Sequence, residues 1–268
     1  FYASAIEPFL IQHVEITLNC PRLPIEFDGY RILLMSDFHS RNLGTRERKI
    51  LRMIAAMPEH DIVAICGDII HTPEGMPGMS KFASQLHASD EVVATFGNSE
   101  HKNGVVPHKL AEALIGRGVK MLLNRSFVIK RGDSQIRIAG VDDNVSGHDD
   151  IHKALKGSDQ SEFKLLLMHS PDNISQAAAL GADVVLSGHT HGGQVKFPII
   201  GAAYTHSNFG RRVSHGLYNK RRLKSLLGCS AGHTQLYVSR GIGISGLALR
   251  FLCRPEITTI TLRRGVIR

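Results

Sequence analysis

Three short apolar runs in the first hundred residues each stop on a side chain that can bind a cation. Arg31–Asp37 (RILLMSD) ends on Asp37, Asp61–Asp68 (DIVAICGD) on Asp68, and Glu91–Asn98 (EVVATFGN) on Asn98. Apolar runs of this length, closed by polar residues, predict buried strands. Between the first two, Thr45–Met57 carries Ile50, Ile54 and Met57 at helical spacing, and between the second and third Met79, Phe82 and Leu86 repeat it. Strand–helix–strand units of about 30 residues are what parallel pairing requires.

The rest of the chain fills out the same plan. Pro107 opens a helix containing Leu110 and Leu114. Val119–Asn124, Ser126–Lys130 and Gln135–Val141 read as consecutive strands, the last two joined by a turn at Arg131-Gly132-Asp133. Alternation resumes with a strand at Lys164–His169, a helix capped by Ser170-Pro171, and a strand at Asp183–His189. Thr234–Ser239 and Glu256–Arg263 are late strands. This order predicts an α/β fold, a four-layer αββα sandwich of two mixed β-sheets flanked by helices. At 268 residues, with no linker or repeat, the chain reads as a single domain over residues 1–268. Its core would run from about residue 30 to 263, with 1–29 as an N-terminal segment.

Composition narrows the partners. A formal charge of +8 favours an anionic partner, whether nucleic acid, a membrane surface or a phosphorylated substrate. Tryptophan is absent, aromatics make up 6%, and basic and aromatic residues do not alternate, so nucleic acid is not expected. Four scattered cysteines without a CxxC pair argue against a zinc ribbon or a disulfide framework. No stretch is long and apolar enough to span a membrane.

The strand ends collect Asp37, His39, Asp68, Asn98, His169, His189 and His191. In an α/β sheet ligands bind at the carboxyl ends of strands, so these side chains can converge. Oxygen and imidazole donors without thiolate suit Mn, Fe, Zn or Mg. Seven donors exceed the needs of one tetrahedral ion and suit two ions sharing a carboxylate. Singly, an Asp-x-His or a Gly-Asp is common as an ordinary turn or cap. Gly188-His189-Thr190-His191-Gly192-Gly193-Gln194 is more specific, because its glycines leave both imidazoles exposed and the backbone open to an anion.

Asp37-Phe38-His39, Gly67-Asp68, Gly97-Asn98, Met168-His169 and Gly188-His189-Thr190-His191 together resemble the five ordered motifs of the calcineurin-like metallophosphoesterases. The likeness covers roughly Tyr30 to Arg263 and implies the αββα sandwich. It also implies a dinuclear enzyme that hydrolyses a phosphoester with a metal-activated water. Asp37, His39, Asp68 and His191 would hold one divalent ion, with Mn²⁺ expected first. Asp68, Asn98, His169 and His189 would hold the other, Asp68 bridging. One departure stands out: Ser99 occupies the place of a motif histidine, and His101 comes two residues later. Serine is a poor general acid at neutral pH. Either His101 reaches in, or the leaving group needs little protonation, as when a nucleoside monophosphate leaves a pyrophosphate. Ser99 would then touch substrate, and Glu100 would orient His39.

Further segments, Gly192–Pro198, Gln235–Gly243, Leu249–Phe251 and Arg254–Thr258, resemble a bacterial membrane-associated branch of that family. The branch includes the chlamydial-type UDP-2,3-diacylglucosamine pyrophosphatase of lipid A synthesis. It implies release of UMP and lipid X at the cytoplasmic face of the inner membrane, with an anchor upstream of Ile6-Glu7-Pro8. The basic stretch from Arg211-Arg212 through Lys220–Leu227 is either a solvated loop or a surface for anionic headgroups. In the second case Leu223, Leu226 and Leu227 would touch acyl chains. Arg221 and Arg222 of that stretch are candidate substrate contacts, and Arg240 and Arg250 are candidate phosphate contacts or structural ion pairs. Three other readings compete: a phosphodiesterase of another substrate, a soluble phosphomonoesterase, and a non-catalytic binding protein on the same fold.

Overall fold

The computed structural model describes residues 1–266, so the last two residues of the expected domain lie outside the described residues. In chain order the elements are β1 (Gln12–Asn19), β2 (Arg31–Met35), α1 (Thr45–Ala55), β3 (Ile62–Cys66), α2 (Gly75–Ala83), β4 (Glu91–Thr95), α3 (Pro107–Ile115) and β5 (Val119–Met121). Then come β6 (Arg125–Arg131), β7 (Ser134–Gly140), α4 (Ile151–Ala154), β8 (Phe163–Leu167), α5 (Ile174–Ala179) and β9 (Val184–Ser187). The chain ends with β10 (Lys196–Phe197), β11 (Gly201–Ala202), β12 (Gly216–Tyr218), α6 (Lys220–Leu227), β13 (Gln235–Val238) and β14 (Glu256–Arg263).

Two six-stranded mixed sheets result, in the orders β1-β14-β2-β3-β4-β5 and β12-β13-β9-β8-β7-β6. Strands alternate sides, and both sides are buried. Ile32 and Leu34 of β2 face the second sheet, where Ile138, Leu165, Leu167, Val184 and Leu186 meet them. Leu33 and Met35 of the same strand face Ile50, Met79, Phe82 and Leu110 of α1, α2 and α3. On the far side, Leu166, Val185 and Leu236 pack against Ile174, Ala177 and Leu223 of α5 and α6. The period-2 side-chain alternation of a strand, applied twice, produces the expected helix–sheet–sheet–helix stack.

Two elements depart from expectation. The first 29 residues are part of the fold: β1 lies at the edge of the first sheet, parallel to β14, with Gln12 opposite Glu256 and Asn19 opposite Arg263. Further upstream, the buried Glu7 carboxylate accepts the backbone N–H groups of Leu252 (3.1 Å) and Cys253 (2.5 Å). The basic stretch, in turn, forms a helix. Asn219 caps it by accepting the Arg222 N–H, and Gly228 closes it at φ 72°. Leu223 and Leu226 are buried in the core beneath α6, so they do not face outward to acyl chains. Among the described residues no helix is long and apolar enough to cross a membrane.

Leu34 is fully buried between the sheets, so Leu34→Ala should cost about 2–5 kcal/mol in urea unfolding. The exposed Ile25→Ala should stay within about 0.5 kcal/mol. Equal effects would contradict a packed interface between the sheets.

Candidate active site

The ligand-bearing residues follow the carboxyl ends of β2, β3, β4, β8 and β9, neighbouring parallel strands in their own sheets except that β2 and β4 flank β3. Asp37, His39, Asp68, His189 and His191 all have φ between 43° and 67°. For residues with a Cβ, that region costs about 1–3 kcal/mol each. Concentrated at one edge of the sandwich, the strain marks backbone shaped for a purpose other than packing. Glycines supply the clearance: a Cβ on Gly97 would lie 2.4 Å from Asp68 Oδ1, and one on Gly188 2.3 Å from Asp37 Oδ2.

Two groups of donors form, and they share Asp68. Asp37, His39, Asp68 and His191 make one, and Asp68, His169 and His189 the other, with the donor atoms of each within 4.8 Å of one another. Asp68 Oδ2 lies 3.2 Å from His39 Nε2 and 3.4 Å from His169 Nε2. His191 Nε2 is 3.1 Å from His39 Nε2 and 3.5 Å from Asp37 Oδ1. His169 Nδ1 donates to the Cys66 carbonyl at 3.0 Å, which leaves its Nε2 lone pair for the site. Asp37 Oδ2, Asn98 Oδ1 and His169 Nε2 are buried with no hydrogen-bond partner. Unpaired oxygen and nitrogen donors in a buried cluster are what divalent cations satisfy, so the residues present fit a divalent metal site.

The electrostatics agree. Burial pushes His39 down to about 4 and His189 to about 3, and holds His191 well below the imidazole range, so these rings are neutral donors at pH 7. Burial also lifts Asp37 to about 6. Against its own burial, Asp68 is held well below the carboxylate range by His169 and His39. His169 is raised to about 10 by the Asp68 and Asp37 carboxylates, which outweigh its burial.

Glu100 does something other than expected. Instead of orienting His39, its carboxylate accepts the backbone N–H groups of Asp68, Ile69, Ile70 and Gly97 at 2.8–3.1 Å. It clamps the turn that presents Asp68 to the turn that presents Asn98. Burial and the Asp68 charge push Glu100 up to about 8 despite those donors. Ser99 is the residue beside His39: its Oγ lies 3.5 Å from His39 Nδ1, and its N–H holds Asp68 Oδ1 at 2.8 Å.

His101 does not turn in toward the donors. Its Nε2 is bonded to Asp142 at 2.7 Å, and its ring stacks on His148 with centroids 4.2 Å apart. Arg240 is held by Glu256 through both its backbone N–H and its Nε. Arg250 is fully buried, donates to the carbonyls of Gly243, Cys253, Arg240 and Gly241, and brings its Nη2 to 3.4 Å from His191 Nδ1. Arg222 donates to the Leu217 carbonyl and stacks over Tyr218. It lines a depression with Arg212, Tyr218, Ser225 and Leu226, apart from the cavities at the metal site, while Arg221 lies exposed on the same helix. The four arginines are therefore placed as structural or surface groups.

Two cavities open beside the donors, and sequence reading missed the residues that shape them. One, of about 270 Å³, borders His191 and is lined by Val195, Ala203, Tyr204, His206 and Leu247. The other, of about 640 Å³, borders His39 and is lined by Phe9, Arg41, Arg46 and His71. His206 lies 5.6 Å from His189, and His71 6.0 Å from His39. Gly246 lies between the cavities and lines both. No motif surrounds His71, His206 or Arg41, so only the folded chain reveals them.

Glu100→Ala would strand four backbone N–H groups, and should cost about 3–5 kcal/mol and lower bound metal per chain. Glu100→Gln, which keeps one acceptor oxygen, should lose less of both. Unchanged melting and metal content in the alanine variant would refute the clamp.

Residues 30–193 match the calcineurin-like phosphoesterase family. Over 98% of this chain, identity with the uncharacterized metallophosphoesterase YkuE of Bacillus subtilis is 31%, covering 89% of that protein. A zebrafish (Danio rerio) transmembrane protein with a metallophosphoesterase domain is also 31% identical over 98% of this chain, which spans 59% of that protein's length. Phosphodiesterase YaeI of Escherichia coli is 27% identical over 87% of this chain and 82% of its own. With two donor groups sharing Asp68 and this family match, the chain belongs to the calcineurin-like phosphoesterases and is a metal-dependent phosphoester hydrolase.

Proposed function

We propose that this enzyme hydrolyses a phosphodiester or pyrophosphate bond whose leaving group needs little protonation, carried on a lipid-linked nucleotide. The observation that carries this reading is the pairing at Ser99. The motif position holds a hydroxyl, not an imidazole, 3.5 Å from His39 Nδ1, and His101 is bonded to Asp142. No good general acid is thereby supplied at that position. A phosphate of low pKa leaves without help, and an alkoxide does not. The likeness to a phosphodiesterase supports the bond type. The mostly apolar cavity beside His191, with Tyr204 and Leu247, supports a substrate bearing an apolar part.

Asp37, His39, Asp68 and His191 would hold one divalent ion, and Asp68, Asn98, His169 and His189 a second, with Mn²⁺ as the first metal to try. When bound, such ions supply a water of lowered pKa and neutralise charge on the phosphoryl oxygens. The chain's own part is placement. Ser99 N–H and the Glu100 clamp fix the shared carboxylate, and the Cys66 carbonyl fixes the His169 ring. Arg41, exposed in the cavity beside His39, offers positive charge to a second anionic group.

UDP-2,3-diacylglucosamine is the substrate to test first, at the cytoplasmic face of a bacterial inner membrane. With Mn²⁺ we expect UMP release, lowered about 10³-fold or more in Asp68→Ala. No UMP with bis-p-nitrophenyl phosphate still cleaved would reject this substrate and keep the hydrolase. No turnover of either would favour a non-catalytic binding protein.

Ser99→His should speed alkyl phosphodiesters about 10²-fold while leaving pyrophosphates nearly unchanged. Equal gains on both would remove the leaving-group argument.

A further inference from the structure

The rim around the metal site is unusually apolar, and the carboxylates that meet it, Glu7 and Glu47, are buried. Between Asp183 and Glu256 the sequence holds no Asp or Glu, while ten Lys and Arg fall there. Most of the large exposed apolar side chains belong to three segments: the N-terminal residues, the β10–β11 hairpin with the strand after it, and the loop before β14.

Backbone hydrogen bonds sew these segments together. Phe251 N–H donates to the Gln194 carbonyl and Lys196 N–H to the Phe251 carbonyl, both at 2.9 Å. Arg250 N–H donates to the Ala3 carbonyl at 2.8 Å, and Glu7 accepts from Leu252 and Cys253. The Gln194 side chain donates to the carbonyls of Ser245 and Leu247. The rim also meets the site: Tyr204 and Leu247, 65% and 69% exposed, line the cavity beside His191, and Phe9 lines the one beside His39.

At the hairpin tip Ile199 is fully exposed and sits at φ 67°, with Ile200 beside it 64% exposed. A β-branched residue in the left-handed region, aimed into water, is unfavourable on both counts. Packing within the chain does not explain it.

We propose that this rim seats the enzyme on an anionic lipid bilayer, with Ile199 and Ile200 entering the headgroup–acyl boundary and the metal-site mouth turned toward the membrane. Apolar insertion beside basic side chains, here the exposed Arg254 after Leu252, the exposed Arg41 in the cavity that Phe9 lines, and Lys49 on the Phe9 carbonyl, is the combination that anionic bilayers attract. The inference rests on the lipid-linked substrate proposed above and names how that substrate arrives.

The test is co-sedimentation of the full chain with vesicles of phosphatidylcholine alone and of phosphatidylcholine with phosphatidylglycerol. Binding should be tighter to the second and fall with salt. Ile199→Asp with Ile200→Asp should weaken it about tenfold or more while bis-p-nitrophenyl phosphate is cleaved at the unaltered rate. Absence of vesicle binding at low salt, or equal binding by the double variant, would overturn the proposal. So would a concentration-dependent dimer that the variant abolishes without any vesicle binding, which would assign the rim to a second copy. Vesicle binding lost in the variant, in a protein that hydrolyses no phosphoester, would support the docking and sink the proposed function.

Discussion

Asp68 belongs to both groups of metal donors, and the surrounding backbone is arranged to hold it still. Its Oδ1 accepts the Ser99 N–H, its own N–H is taken by Glu100, and its carbonyl accepts the His39 N–H at 2.9 Å. Three strand ends that are distant in sequence are thus fastened through one residue. Gly67, at φ 74° with His169 Nδ1 2.3 Å from where a Cβ would be, lets the His169 ring lie against this turn. Remove the carboxylate, and both donor groups lose a member together.

The same edge of the sandwich concentrates unfavourable terms. Left-handed backbone at five donor residues and three orphaned buried polar atoms oppose folding. The interior behind them offsets this with two-sided burial of both sheets. A cation that binds the folded chain adds stability that grows with the logarithm of its concentration over Kd, so occupancy and folding are linked.

Much of the layered fold was legible because each central strand is short, apolar on both faces and closed by a polar residue. β1 was missed for the opposite reason. Gln12–Asn19 is an edge strand with half-buried residues alternating with exposed ones, and its Val14, Ile16 and Leu18 alternation is diluted by polar neighbours. α6 was missed as a helix because its basic residues dominate the eye, although Leu223 and Leu226 carry helical spacing. At the site, strand-end position and donor type disclosed the clustered Asp and His residues. The work of Glu100 was not legible: a carboxylate that binds four backbone N–H groups has no pattern of its own. The roles of the arginines stayed open because charge in a sequence does not distinguish Arg250, sealed among carbonyls beside His191, from one free to meet phosphate.

On the proposed membrane seat, Ser99 acquires another meaning. A membrane is itself a dense array of alkyl phosphodiesters, each one a chemically plausible victim for a hydrolase seated on it. An efficient proton donor beside His39 would make every glycerophospholipid in reach a competing substrate, and the enzyme a phospholipase. A hydroxyl in that position spares bonds with reluctant leaving groups by default. Discrimination between the rare molecule and the surrounding solvent of lipids would then come from chemistry withheld, with no pocket needed to exclude the lipid.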